Sequence, residues 1–273
     1  MTAPLTVDGA LALARQLGVE RADAQTLLGH LTSQNRTWLV THGDAPVPEA
    51  DAALRRLAAG EPLAHVTGWQ PFHGLMLAVT PATLIPRPDT ETIVDWALEL
   101  LAALPGSPSV VDLGTGSGAI ALAIKAACPR AQVTAVDFSA DALAVARSNG
   151  ERLALDIDWR LGSWFEPLAG RRFDLVVSNP PYIAGDDPHL PALRHEPITA
   201  LTPGGDGLAD LRTLIDTAPQ HLNPGGWLLL EHGWDQADAV AQHLGTRNFG
   251  DVTLRRDLAG RARTSGGRRT DQA

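Results

Sequence analysis

Four consecutive residues, Asn179-Pro180-Pro181-Tyr182, follow an apolar run over residues 173–178 that predicts a buried strand. Neither proline has the N–H that a sheet requires, so the strand must end at Asn179. The Asn179 side chain and the carbonyls of Asn179 and Pro180 offer acceptors for both hydrogens of an NH2 group, leaving its nitrogen lone pair free to react. This stretch alone leaves open the simpler interpretation of a turn that ends a strand.

A second candidate site is the glycine-rich turn Gly114-Thr115-Gly116-Ser117-Gly118, which follows another apolar run. Glycines permit a sharp turn and a close approach of a ligand to the backbone. Asp137 ends the next predicted strand, where a carboxylate can accept hydrogen bonds from both hydroxyls of a ribose. The spacing Gly114-x-Gly116-x-x-Ala119 also fits a dinucleotide pattern, so these residues leave NAD open as the cofactor.

The Asn179 tetrad, residues 179–182, favours methyl transfer over hydride transfer. Hydride transfer has no obvious use for a site that holds an NH2 group, whereas methylation of such a group requires one. An amide nitrogen is a poor nucleophile, so such a site would act by orientation and charge placement, and we assign no general base. Asp112, just before the glycine turn, is interpreted as structural.

Composition limits the function classes. The chain has 273 residues, is 44% hydrophobic and carries a net charge of −9, which disfavours a protein that binds long nucleic acid directly. The single cysteine, Cys128, cannot form an internal disulfide and fits a reducing compartment. The sequence shows no cluster with metal-ligand spacing, no secretory leader and no apolar run of membrane-spanning length. We therefore expect a cytoplasmic protein without a metal or a membrane partner.

The pattern along the chain predicts three parts. Residues 1–60 indicate a small helical domain without strands, in which Thr6 caps the first helix and Pro48 opens the last. Residues 61–90 indicate a hairpin near Gly74 and a proline-rich connection that could also line a site. Residues 91–273 alternate strands and helices, which predicts an α/β, doubly wound, mostly parallel sheet with the glycine turn, Asp137 and Asn179 at one rim.

Taken in order, the motifs resemble the HemK/PrmC family of class I S-adenosylmethionine-dependent methyltransferases, which have a Rossmann-like fold. The resemblance covers nearly the whole chain. Its segments are residues 62–68, 85–91, 112–118, 178–182, 194–197, 200–201, 204–207, 230–233 and 257–260.

This resemblance implies an enzyme that transfers a methyl group from S-adenosylmethionine to the N5 amide nitrogen of a glutamine. The target would be the Gly-Gly-Gln loop of class I peptide chain release factors, in translation termination. The cofactor would contact the turn Gly114–Gly118 with its methionine end, Asp137 with its ribose and Trp164 with its adenine. The substrate glutamine would be held by Asn179, Pro180, Pro181 and Tyr182, with Asn179, Pro180 and Tyr182 catalytic and Asn179 also beside the cofactor.

Two departures from the family pattern carry expectations of their own. The family usually has an acid before the position of Trp164, which can accept from the adenine amino group, whereas this chain has the neutral and shorter Ser163 there. The family also ends on an apolar strand, whereas residues 263–267 are polar. We therefore expect a weakly structured tail after Gly260, with a short or frayed last strand.

Three alternatives remain open at this stage. The tetrad also suits an adenine-N6 or cytosine-N4 nucleic-acid methyltransferase, which the acidic charge disfavours. A ribosomal-protein glutamine methyltransferase is a closer alternative, against which residues 85–91 favour the release-factor branch. A binding module that keeps the fold without activity is disfavoured by the intact tetrad.

Overall fold

The chain divides into two compact units between Trp69 and Gln70. The structure is a computed structural model and describes residues 4–270. Among these residues, no helix combines the length and the apolar character needed to cross a bilayer.

The first unit is mainly helical, around a core that includes Val7, Leu27, Leu28 and Leu54. Its first helix begins after Thr6, whose hydroxyl accepts from the Gly9 N–H at 3.2 Å as an N-cap. Its elements are β1 (Leu5–Thr6), α1 (Val7–Gln16), α2 (Arg21–Thr32), α3 (Arg36–Thr41), β2 (Pro46–Val47), α4 (Ala50–Ala58) and α5 (Leu63–Thr67).

Two details of this unit differ from the sequence prediction. The prediction of helices alone is wrong, because β1 and β2 form a short antiparallel pair with Leu5 opposite Val47. Two residues per strand are too few to produce an alternating pattern in the sequence. The last long helix begins at Ala50 rather than at Pro48, after Glu49 in the left-handed conformation.

The second unit has a hairpin, then alternating strands and helices. The hairpin is β3 (Trp69–Phe72) and β4 (Leu75–Ala78), and a 3-10 turn at Pro88–Thr90 leads into α6 (Glu91–Ala103). The sheet strands are β5 (Ser109–Leu113), β6 (Gln132–Asp137), β7 (Asp158–Leu161), β8 (Phe173–Ser178), β9 (Leu222–Glu231), β10 (Phe249–Arg256) and β11 (Ala262–Arg269). The remaining helices are α7 (Ala119–Ala127), α8 (Ala140–Leu153), α9 (Ala209–His221) and α10 (Ala237–Gly245).

The sheet has the order β10-β11-β9-β8-β5-β6-β7. Strands β5 to β9 are parallel, and β11 is antiparallel to both of its neighbours, β9 and β10. Its side chains alternate between two cores, so that Val110 packs on one face and Val111 on the other. Helices cover both faces, which explains why the inner parallel strands β5, β6 and β8 are mostly apolar. The predicted doubly wound, mostly parallel sheet is confirmed.

The expected frayed end is wrong. Strand β11 has eight residues and lies inside the sheet, paired with β9 on one side and β10 on the other. Its glycines fit a tight space, since a Cβ on Gly266 would lie 2.5 Å from Leu229 Cδ2 and 2.8 Å from Trp96. The buried Arg263 forms ion pairs with Asp257 and Asp89. A polar sequence therefore makes a central strand, because its neighbours supply the apolar groups and the counter-charges.

We predict that Gly266→Ala destabilises the protein by about 1–3 kcal/mol, the usual cost of overpacking a core. Urea unfolding would measure the change. Gly245→Ala is a matched control, because Gly245 ends α10 and a Cβ added there would have no atom within 4 Å. Equal stability of the two variants would contradict the packing account of β11.

Candidate active site

A cavity of about 350 Å³ opens at the carboxyl rim of the parallel strands. This volume lies within the range of small-molecule sites. Among the residues predicted from sequence, six line it: Gly114, Gly116, Asp137, Trp164, Asn179 and Pro181. The other predicted residues do not line the cavity: Thr115, Ser117 and Gly118 shape the turn, Pro180 is buried, and Tyr182 ends the tetrad.

The glycine turn is held by side chains from beneath. Its three glycines have φ values of 72°, 56° and 85°, which only glycine adopts readily. The buried Asp112 accepts from Thr115 Oγ1 at 2.6 Å and from the Ala121 N–H at 3.2 Å. Asn149 of α8 donates to the Ser117 carbonyl at 3.0 Å. The loop is therefore fixed before any ligand arrives, and Asp112 has the structural position that the sequence suggested.

Asp137 lies at the end of β6, against the turn. One of its oxygens accepts from the Gly116 N–H at 2.8 Å and the other from the Ser139 N–H at 2.9 Å. Burial raises the pKa of Asp137, and the backbone hydrogen bonds from Ser139 and Gly116 oppose that shift. Each oxygen keeps a second lone pair, so the carboxylate can still accept hydroxyl groups from a ligand.

Trp164 lines the same cavity in a left-handed backbone conformation, with φ of 46°. A Cβ on Gly114 would lie 3.2 Å from the Trp164 ring, so the indole and the glycine turn are in close contact. Ser163 lines the same wall, and Asp210 at the start of α9 interacts with the indole. The chain thus places an acid near Trp164, although it comes from a different element than the family pattern predicts.

The Asn179 side chain points its nitrogen into the protein. Its Nδ2 donates to Thr90 Oγ1 at 3.2 Å. Because the two ends of a carboxamide point in different directions, Oδ1 is directed away from Thr90. The strand below is fixed by Ser178, whose hydroxyl donates to the Leu113 carbonyl at 2.6 Å. Asn179 Oδ1 is therefore a hydrogen-bond acceptor at the edge of the cavity, held in place by a rigid strand end.

Tyr182 is anchored inward. Its hydroxyl donates to Glu231 Oε1 at 3.2 Å, and its carbonyl accepts from Gln236 Nε2 at 2.9 Å. Burial, and then the nearby Glu231 charge, raise the pKa of Tyr182, so the phenol keeps its proton. The ring has one fixed position at the end of the tetrad.

The proline-rich segment is fixed by Glu196. This buried carboxylate accepts from the Ile85 N–H at 2.9 Å and forms an ion pair with Arg87. Thr83 and Leu84 line the cavity on one side of this contact, and Pro197 and Thr199 on the other. The suggestion that this segment lines a site as well as connecting domains is consistent with its position.

Sequence reasoning missed the residues that support the site: Thr90, Asn149, Glu196, Glu231 and Gln236. Glu196 and Glu231 lie in two of the segments that carry the family resemblance, residues 194–197 and 230–233. Glu231 also ends β9 at the same rim as Asp137 and Asn179. Thr90 directly precedes α6 but makes no side-chain capping bond, and its hydroxyl accepts from Asn179 instead. Within residues 4–270, no group of three His, Cys, Asp or Glu side chains could hold a metal ion.

Asp112 predicts a pH dependence of stability. Burial raises its pKa to about 7, with opposing bonds from Thr115 and Ala121. The folded state then binds a proton that the unfolded state has lost between about pH 4 and pH 7, so this contribution to stability is lost as pH rises through that window. We expect Asp112→Asn to reduce the fall in the free energy of unfolding, as measured by urea titrations across the window.

Asp174 supplies a control of opposite sign. Burial raises its pKa, but bonds from Ser109 and Asn223 outweigh this and lower it. Its contribution is present at high pH and lost at low pH, so Asp174→Asn should change the pH slope in the other direction. The same slope in wild type and Asp112→Asn would refute the assignment of a protonated Asp112.

Comparisons with known proteins identify the family of this chain. Residues 7–68 match the PrmC N-terminal domain, and residues 91–206 match the methyltransferase small domain. A methyltransferase structure from Pyrococcus furiosus is 20% identical with a TM-score of 0.55, covering 81% of this chain and 99% of that one, and it supports the fold.

Two curated relatives resemble nearly the whole chain. The release factor glutamine methyltransferase of Bordetella pertussis is 48% identical over 92% of this chain and 95% of its own length. That of Xylella fastidiosa (strain Temecula1) is 50% identical over 92% of this chain and 94% of its own. The chain therefore belongs to the release factor glutamine methyltransferase family.

Proposed function

We propose that this protein transfers a methyl group from S-adenosylmethionine to the side-chain N5 nitrogen of the glutamine in the Gly-Gly-Gln loop of class I peptide chain release factors. The family membership supports the reaction and the methyl donor. The observation that carries the assignment is the Asn179 carboxamide, held at the edge of a nucleotide-sized cavity with its oxygen directed away from Thr90.

The cavity has the groups that S-adenosylmethionine requires. The rigid turn Gly114–Gly118 would hold the methionine end, Asp137 the ribose hydroxyls and Trp164 the adenine. The bound cofactor supplies a methyl group on a sulfonium, which is already an excellent leaving group. The protein therefore has to orient the attacking nitrogen more than to activate the donor.

In this proposal, Asn179 Oδ1 and the Pro180 carbonyl accept the two hydrogens of the substrate amide. These bonds direct the nitrogen lone pair toward the cofactor and favour the positive charge that develops on nitrogen. Pro181 and Tyr182 hold the segment rigid, since the Tyr182 hydroxyl is bound to Glu231. The methylated nitrogen then loses a proton readily, so the reaction does not require a base before the transfer.

The choice of a protein substrate rests on charge and on the family. The chain carries a net charge of −9, and direct binding of nucleic acid is dominated by neutralisation of phosphates. A glutamine flanked by glycines can enter a deep pocket, because glycine gives the loop conformational freedom. The single cysteine fits the cytoplasm, where release factors act.

The cofactor assignment predicts that Asp137→Ala weakens S-adenosylmethionine binding by about 1.5–3 kcal/mol, the scale of charge-assisted hydrogen bonds. Calorimetry measures this directly. Asp141→Ala, which removes an exposed acid in the first turn of α8, is the matched control. Binding of NAD in place of S-adenosylmethionine by the wild type would reject the cofactor.

The substrate assignment predicts that Asn179→Ala lowers the rate of methyl transfer by about 10²–10³-fold, as for the loss of one preorganised polar group at a reacting centre. Folding and cofactor affinity should be largely kept. Asn223→Ala is the control, because Asn223 lies at the amino ends of β8 and β9, away from the cavity, and donates there to Asp174.

The assay offers labelled cofactor with purified release factor, its Gln→Ala loop variant, ribosomal protein and duplex DNA, each separately. We expect label on the wild-type release factor alone. Label that persists on the loop variant, or that is found only on DNA or ribosomal protein, would disprove the substrate.

A further inference from the structure

A glutamine beside the Asn179 tetrad joins two main-chain groups and has no role in the reaction described so far. Gln236 directly precedes α10, yet its side chain makes no capping bond to that helix. Its Oε1 accepts from the Gly233 N–H at 2.8 Å, and its Nε2 donates to the Tyr182 carbonyl at 2.9 Å. A carboxamide has one acceptor end and one donor end, so this orientation alone satisfies both partners.

We propose that Gln236 is a positioning residue for methyl transfer, which holds the main chain of the Asn179 tetrad in place through the Tyr182 carbonyl. The role requires a side chain that donates to Tyr182 and accepts from Gly233 at the same time. Glutamate has the same length, but it only accepts when it is ionised. The inference rests on the proposed function, since it assigns a role to a residue behind the same substrate site.

The Gln236 bond fixes the peptide plane between Tyr182 and Ile183, where the chain leaves the substrate site. Each proline ring of the tetrad restricts its own φ, whereas this plane can turn unless its polar groups are bound. Its carbonyl accepts from Gln236, and its N–H, on Ile183, donates to the Leu201 carbonyl at 2.9 Å. A turn of this plane would shift the prolines before it, and with them the Pro180 carbonyl that the substrate amide requires.

The space around this bond is tight. Gly207 has a φ of 76°, and a Cβ there would lie 2.3 Å from the Tyr182 oxygen and 3.0 Å from Gln236 Nε2. A side chain at position 207 would therefore displace the bond. The Gln236 N–H also donates to the Gly233 carbonyl at 2.9 Å, so its main chain and its side chain both bind Gly233. Gln236 is thus held on a closed turn and can act as a rigid support.

The first test is Gln236→Glu, assayed for methyl transfer from S-adenosylmethionine to purified release factor. Glutamate keeps the bond to the Gly233 N–H but places a charged acceptor against the Tyr182 carbonyl, which it repels. We expect kcat to fall by about 10²-fold, the scale of a small misplacement at a reacting centre. The dissociation constant of S-adenosylmethionine should stay nearly unchanged, because Gln236 does not line the cavity.

Two further variants separate the lost bond from the added charge. Gln236→Met keeps the length of the side chain, removes both hydrogen bonds without adding a charge, and should also lower kcat. Gln242→Glu makes the glutamine-to-glutamate change at an exposed position of the same helix, α10, and should leave kcat unchanged.

A spectroscopic measurement follows the Tyr182 carbonyl itself. Tyr182 is the only tyrosine of the chain, so tyrosine labelled at its carbonyl carbon gives one signal in carbon NMR. A hydrogen bond accepted by a carbonyl moves its carbon signal downfield. We therefore expect the signal to move upfield in Gln236→Met and to stay in place in Gln242→Glu. This measurement requires neither the release factor nor enzymatic activity.

The outcomes separate the two proposals. If the wild type fails to methylate the release factor, the proposed function is wrong. A lower kcat with unchanged cofactor affinity and a shifted Tyr182 signal supports the positioning role. If the wild type is active but both Gln236 variants keep its kcat, the positioning role of Gln236 is wrong and the proposed function stands. The same holds if kcat falls while the Tyr182 signal stays in place, or if cofactor affinity falls as far as kcat.

Discussion

The parallel pairing of β5, β6, β8 and β9 is the constraint on which the site depends. Ser178 lies in register with Leu113 on one side and with Leu230 on the other, so these strands end at one rim. The Ser178 hydroxyl fixes this register through its bond to the Leu113 carbonyl. Residues far apart in the chain, such as Asp137 and Asn179, therefore lie around a single cavity. The position of the site follows from where the strands end, because an open α/β sheet binds its ligands at the carboxyl ends of its strands.

Buried carboxyl groups are the cost of this arrangement. Asp112 and Glu231 each have an oxygen without a hydrogen-bond partner in the described part of the chain, and burial raises the pKa of both to about 7. Apolar residues at these positions would be expected to favour folding. Both acids instead hold a segment of the site, Asp112 the glycine turn and Glu231 the ring of Tyr182. The two buried acids therefore lower the stability of the fold and make the active site rigid.

The sequence predicted the sheet and its rim well, because apolar runs, glycine turns and proline stops act locally. The apolar run over residues 173–178 predicted both ends of β8. The sequence did not predict β11, because Gly266 is buried by Leu229 and Trp96, which come from segments far from it in the chain. The supporting contact from Thr90 was unpredictable for the same reason, since Thr90 and Asn179 are 89 positions apart. Local patterns reveal the groups at the rim, whereas the polar groups beneath them depend on tertiary pairing.

The central claim is that the amide held by Asn179 is the side chain of a glutamine. The most direct test is mass spectrometry of release factor peptides after incubation with this enzyme and S-adenosylmethionine. We expect the added mass of one methyl group in place of hydrogen, on the side-chain nitrogen of the loop glutamine. We also expect the modification to be absent when Asn179→Ala replaces the wild type. A methyl group on any other residue, or an equal yield from that variant, would contradict the claim.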